Sequence, residues 1–182
     1  MSDWLEMPED EPGELVDGRL EEEEVPDFVH EFIVTLLAQC FTNWVVPRGG
    51  VVGGSDAKLT LAPDRGRKPD LTVYLPGSAL PPRRGPIHVP PDVAVEVVSP
   101  SPKDTRRDRV DKLAEYAAFG IRYYWLVDPE LRTVEILELG EDGRYVHALG
   151  ASSGVIDPVP GCEGLSLDLD QLWQTIDRLP RD

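Results

Sequence analysis

Apolar positions along the chain recur at two periods, and the two predict different elements. After Pro26-Asp27, residues Phe28, Val29, Phe32, Ile33, Leu36, Leu37, Cys40 and Phe41 return every three or four positions. This predicts an amphipathic helix with a wide buried face and Asp27 as its N-cap. A second helical stretch runs to Phe119, capped by Asp104 or Thr105, with Val110, Leu113, Ala114 and Ala117 as its apolar stripe and Gly120 just past its end. A third starts at Asp168 and turns Leu169, Leu172, Trp173 and Ile176 inward. Alternating or β-branched runs predict strands at residues 14–20 (ELVDGRL, with a turn or bulge at Asp17-Gly18), 45–46, 58–62, 71–75, 93–98, 123–127 and 165–167. Residues 133–139 and 144–149 read as a hairpin around 140–143. Residues 3–13 predict a mobile arm or a short helix, and the acidic run 21–24 a solvated stretch. The segments 49–54 (four glycines), 76–91 (six prolines and two glycines) and 156–164 read as loops, and 63–68 as a basic turn.

Strand, helix, several strands, helix, strand, hairpin and terminal helix together predict a mixed α/β (α+β) domain, with a central mixed sheet flanked by helices. No internal repeat interrupts it. The expected organisation is an acidic N-terminal arm over 1–13, one domain over 14–179 and a tail over 180–182.

Composition is that of a soluble globular protein, with 41% hydrophobic and 29% charged residues in 182. No apolar run approaches a membrane span, and the acidic N-terminus lacks the apolar core of a secretory signal. Cys40 and Cys162, with no CxxC spacing, read as free thiols, so a cytoplasmic protein is expected. The net charge of −16 argues against a protein that coats nucleic acid, but the charge is uneven. Residues 1–27 hold twelve Asp/Glu and one Arg, a net of −11, whereas residues 65–122 hold eleven Lys/Arg against seven Asp/Glu, a net of +4. A phosphate-contacting surface needs such a local excess. The alternative is that Arg106, Arg107 and Arg109 form a solvated helix face.

The chemistry concentrates in that basic segment. Asp70 begins one predicted strand, Glu96 sits inside the run VAVEVV, and Lys112 lies on the helix that follows. An unpaired carboxylate in a buried strand is costly, so Glu96 needs a partner. If the strands are neighbours, Asp70 and Glu96 converge and, with a main-chain carbonyl, offer hard oxygen ligands for Mg²⁺ or Mn²⁺. Lys112 would then stabilise the attacking hydroxide or the pentavalent phosphate, with a pKa lowered by desolvation. Each residue has a plainer reading: Asp70 as a turn cap, Glu96 in a core salt bridge or facing water at a sheet edge, Lys112 as a solvated flank. His30, His88 and His147 lack zinc-binding spacing. Ser99 and Ser101 lack a nucleophile elbow, the glycines of 49–54 lack a phosphate-loop lysine, and Tyr123, Tyr124 and Trp125 read as core.

The run PDLTVYL…PPDVAVEVVSPSPKDTRRDRVDKLAEYAAFGIRYYWLVDP resembles the signature of the bacterial Uma-two family, restriction-endonuclease-like proteins of the PD-(D/E)XK nuclease superfamily. ELVDGRL, His30 at the start of the first helix and DPVPGCEGLSLDLDQLW extend the resemblance over roughly residues 14–175. It implies a restriction-endonuclease-like core, Asp70 and Glu96 as metal-binding acids, Mg²⁺-dependent endonucleolytic hydrolysis of DNA, and a homodimer. The superfamily places a lysine two residues after the second acid. Here that residue is Val98, and Lys112 matches the family's helix lysine and is the expected replacement. Glu14 and Glu31 are possible additional acids. The competing expectation is a nuclease-fold protein without catalysis that acts as a binding or regulatory subunit, motivated by the acidic charge and by Val98.

Overall fold

The computed structural model describes residues 2–7, 13–21, 26–99 and 106–180. The chain opens with a short helix, α1 (Ser2–Glu6), and a hairpin of β1 (Glu14–Val16) and β2 (Arg19–Glu21). Asp17 and Gly18 take φ of 48° and 73°, the left-handed pair that a two-residue hairpin turn requires. Helix α2 (Phe28–Val45) follows, with the Asp27 carboxylate accepting from the His30 main-chain N–H as its cap. Next come β3 (Val51–Gly53), β4 (Leu59–Ala62), β5 (Arg65–Arg67), β6 (Leu71–Tyr74) and β7 (Val93–Val97). A π-helical turn, Arg107–Asp111, leads into α3 (Lys112–Phe119). The chain ends with β8 (Tyr123–Asp128), the hairpin of β9 (Thr133–Leu139) and β10 (Tyr145–Ala151), the short pair β11 (Val155–Ile156) and β12 (Leu167–Asp168), and α4 (Leu169–Ile176).

Two sheets result. The larger has six strands in the order β10-β9-β8-β7-β6-β3, the smaller four in the order β2-β1-β5-β4. In the larger sheet β7 and β8 run parallel and their neighbours antiparallel, so the fold is mixed α+β with a central mixed sheet, as expected. The two-residue alternation of β7 sorts the layers. Val93, Val95 and Val97 join one core with Ile33, Leu37 and Phe41 of α2 and Leu172 and Trp173 of α4. Ala94 and Val98 join the opposite core with Tyr116 of α3, Leu59 of β4 and Tyr124 and Leu126 of β8. Both faces of β7 are covered, which is why it is almost all β-branched. The same alternation turns Glu96 toward α3.

Several expectations need correction. Val45 ends α2 and Val46–Arg48 is a 3-10 turn, so residues 45–46 are not a strand. Residues 49–54 contain the edge strand β3, and 63–68 contain β5, because Gly53 and Gly66 allow close approach to neighbouring side chains. The last short strand is Leu167–Asp168, rather than 165–167, and its partner β11 reaches into the expected loop. Phe28 is 69% exposed, and the buried face of α2 instead takes in His30, Val34 and Trp44. Contrary to the expectation that no apolar run approaches a membrane span, Phe28–Arg48 is long and apolar enough to cross one by length and composition. Here its buried face packs on the sheet. Val110 is 56% exposed, and the face that α3 and its π turn bury is Asp108, Lys112 and Tyr116. The expected caps Asp104 and Thr105, and most of the acidic run 21–24, lie outside the described residues. Gly120 does terminate α3, at φ 93°, and Asp168 does cap α4 through the Gln171 N–H. Tyr123, Tyr124 and Trp125 are core. Cys40 and Cys162 are unpaired.

Of the stretch 3–13, residues 8–12 lie outside the described residues; a helix is found over Ser2–Glu6, and it is docked. Trp4 is buried, its indole N–H donates to the Gly13 carbonyl at 3.1 Å, and the Lys58 ammonium donates to the main-chain oxygens of Trp4 and Met7. The Trp4 ring occupies the space where a side chain at Gly66 would stand. Gly66→Ala should therefore expel Trp4 and cost about 1–3 kcal/mol, seen as a lower urea midpoint and faster proteolysis near the N-terminus. An unchanged midpoint would show that α1 contributes nothing to stability.

Candidate active site at the carboxyl end of the parallel strands

The antiparallel ladder between β6 and β7 pairs Leu71 with Val95. Continued by one residue, it sets Asp70 opposite Glu96, at the end of the sheet where β7 and β8 finish. Directly opposed residues are the closest cross-strand neighbours. The Asp70 Oδ2 accepts from the Val97 N–H at 2.6 Å, which holds that carboxylate against the backbone next to Glu96. The same oxygen lies 3.3 Å from His30 Nε2. Burial alone would lower the His30 pKa, but Asp70, Glu31 and Asp27 hold it above the ordinary histidine value. The N-cap that starts α2 thus also brings His30 to the site.

Glu96 is buried and neither of its oxygens is bare. Oε2 lies 2.9 Å from Lys112 Nζ, and Oε1 accepts from the Tyr116 hydroxyl at 2.6 Å. Asp108, Lys112 and Tyr116 are spaced four residues apart and so share a helix face. This face, and not the expected stripe of Val110, Leu113, Ala114 and Ala117, is the buried one. The solvated-flank reading of Lys112 is therefore excluded, as is an edge position for Glu96. Val98 is also buried, packed with Tyr116 and Tyr124. The ammonium that meets Glu96 comes from the helix, at Lys112, and not from the strand.

The smaller sheet delivers a further acid. Glu14 of β1 is 1% exposed; it accepts from the Lys68 N–H at 2.9 Å and from Arg67 Nη1 at 2.7 Å, and lies 3.5 Å from Lys112 Nζ. Arg67 in turn pairs with Glu115 of α3. Asp108 completes the ring at 3.3 Å from Lys112 Nζ, with Arg107 Nε at 3.6 Å. Lys112 thus stands among three carboxylates, Glu14, Glu96 and Asp108. The expected lowering of its pKa is corrected. Burial does push it down, but those three acids hold it well above the ordinary lysine value, so it stays charged. Glu14, despite burial, is held below its ordinary value by Lys112, Arg67 and Arg107. Glu96 goes the other way: burial raises it well above, Lys112 pulls it back, and Asp108, Asp70 and Glu14 add to the rise. Asp108 is raised by burial as well, and its Oδ1 has no hydrogen bond among the described residues.

This donor set fits a hard divalent cation. Asp70 and Glu96 are acceptor-only when ionised and keep lone pairs beyond those already used. The Glu96 pKa is raised first by burial and then by Asp108, Asp70 and Glu14, and a cation at its carboxylate would favour the ionised form. Among the described residues no three His, Cys, Asp or Glu side chains form a metal cluster. A cation here would rest on two carboxylates with main-chain and solvent oxygens, the manner in which Mg²⁺ is commonly held.

Glu31 is half exposed, reaches only to 3.8 Å from His30 Nδ1, and is no part of this ring. Arg107 and Arg109 are engaged in ion pairs, Arg109 with Asp128 and Glu135, while Arg106 is exposed. Sequence reasoning missed Arg67, Asp108 and Tyr116. The four-residue spacing of Asp108, Lys112 and Tyr116 was the available signal, hidden because an apolar stripe was sought.

The family profile Uma2, described as "Putative restriction endonuclease", matches residues 1–170. The crystal structure of a protein from Anabaena variabilis, described as "a putative nuclease belonging to DUF820", aligns with a TM-score of 0.75 and 19% identity over 96% of this chain and 97% of the other. At that identity the likeness is one of fold. No curated protein matches the chain significantly.

Proposed function

Because the chain belongs to the Uma2 family of restriction-endonuclease-like proteins, we propose that it is a metal-dependent nuclease that hydrolyses DNA phosphodiester bonds at the end of the sheet where Asp70, Glu96 and Lys112 meet. The observation that carries this reading is the 2.9 Å contact between Lys112 Nζ and Glu96 Oε2 beside Asp70, which rebuilds from a helix the acid–lysine pair lost at Val98. Asp70 and Glu96 would hold Mg²⁺ or Mn²⁺, which supplies Lewis acidity and a nucleophilic water at neutral pH.

The chain's own residues supply the rest. Lys112 acts as a positive charge and not as a base, since Glu14, Glu96 and Asp108 hold its pKa well above the ordinary lysine value. Its role is to stabilise negative charge growing on the phosphoryl oxygens. Glu14 ties the lysine and the Lys68 N–H, two residues before Asp70, to one carboxylate, so both flanks of the site share an anchor. His30 keeps Asp70 oriented through its Nε2.

The test is incubation of the full chain with supercoiled and linear DNA, with and without Mg²⁺ or Mn²⁺, beside Asp70→Asn. Cation-dependent cleavage by the wild type and its loss in the variant are expected. No metal uptake and no cleavage on a broad DNA panel would sink the nuclease reading and favour the non-catalytic binding subunit.

A further inference from the structure

We propose that Tyr116 is a positioning residue for Glu96, fixing the carboxylate oxygen that Lys112 does not hold and so setting how Glu96 meets a divalent cation. The proposal rests on the metal-dependent reading above. Glu96 has several rotatable bonds, and orienting a carboxylate requires control of both oxygens. Helix α3 provides it from successive turns: the Lys112 ammonium on Oε2 at 2.9 Å and the Tyr116 hydroxyl on Oε1 at 2.6 Å. A donor on a rigid helix that orients a metal-binding acid is preorganisation of the kind that tunes metal sites.

Tyr116 is itself held. It is fully buried, and its ring packs edge-on against Tyr124 at 5.1 Å and 89°. The Tyr124 hydroxyl donates elsewhere, to the main-chain oxygen of Asp108 in the π turn at 2.8 Å. Two touching tyrosines therefore have separate tasks, one on the site carboxylate and one on the helix backbone. Each phenylalanine variant keeps the ring and removes one task. If Tyr116 were only core packing, Tyr116→Phe would leave the site unchanged.

The experiment measures Mn²⁺ affinity of the full chain by calorimetry for wild type, Tyr116→Phe and Tyr124→Phe, with metal-free crystal structures of all three. Tyr116→Phe should bind Mn²⁺ about 10-fold more weakly or worse, with the Glu96 carboxylate rotated about its remaining Lys112 contact. Tyr124→Phe should bind as wild type does. Wild-type affinity in Tyr116→Phe overturns the proposal. If the wild type takes up no Mn²⁺, the nuclease reading fails separately, and the metal-free crystals decide: a rotated Glu96 upholds the positioning role, an unmoved one overturns it.

Discussion

Lys112→Met should unfold this protein more readily than any other single change at the site, by about 3–5 kcal/mol. Methionine fills the space, so the loss is electrostatic. Glu14, Glu96 and Asp108 would remain buried around a neutral side chain, and removing one partner of a buried ion group leaves the others uncompensated. In a domain of this size that corresponds to a melting temperature lower by roughly 6–20 °C, readable by circular dichroism or calorimetry. Cleavage should vanish as well. Adding Glu96→Gln to Lys112→Met removes one of the stranded carboxylates and should recover part of the loss, a coupling that a double-mutant cycle measures. A melting temperature within two or so degrees of wild type for Lys112→Met would show that the three acids are already protonated around it, contrary to the charge ring described above.

Glu96→Gln should do the reverse to stability while doing as much harm to catalysis. On the proposed nuclease reading, loss of this carboxylate would remove several kcal/mol of transition-state stabilisation, a drop of roughly 10³-fold in cleavage. The fold should lose nothing and gain at alkaline pH. The Glu96 pKa is raised in the folded protein. Its favourable contribution is therefore complete below the ordinary glutamate value of 4.5 and is lost as pH rises through the folded value. Glutamine cannot ionise and lacks that slope. Melts from pH 4 to 8 should show the variant at or above wild type at pH 8, with the gap closing on acidification. Glu14 has the opposite sign: its lowered pKa contributes stability above its ordinary value that disappears as pH falls through the folded one, so both proteins should weaken in strong acid. A variant less stable than wild type at pH 8 would mean that Glu96 is a net structural ion pair and not a strained site acid.

Most elements were legible because local rules hold where they fold. Asp27 caps α2 and Asp168 caps α4 by the side-chain acceptor geometry expected of such residues, and Asp17-Gly18 makes the hairpin turn. The misreadings have tertiary causes. β3 and β5 are too short and glycine-rich to show a two-residue alternation, and pairing with β6, β1 and β4 makes them strands. On α3 the expected apolar stripe was displaced because the π turn at Arg107–Asp111 and the pull of Glu96 set which face is buried.

The site divides the same way. The sequence by itself determined that an acid would stand in a covered strand, that a second would begin the strand before it, and that a lysine would follow on a helix. Composition and period are enough for that, because a valine-rich strand excludes water and an isolated carboxylate within it demands a partner. It could not determine which cation answers, or in what charge state. Only the tertiary structure brought Lys112 to Glu96, set Tyr116 on the other oxygen, and carried Glu14 in from a separate sheet to keep the lysine charged. The reason is physical: a pKa and a salt bridge depend on distance and burial, and neither is a property of spacing along a chain.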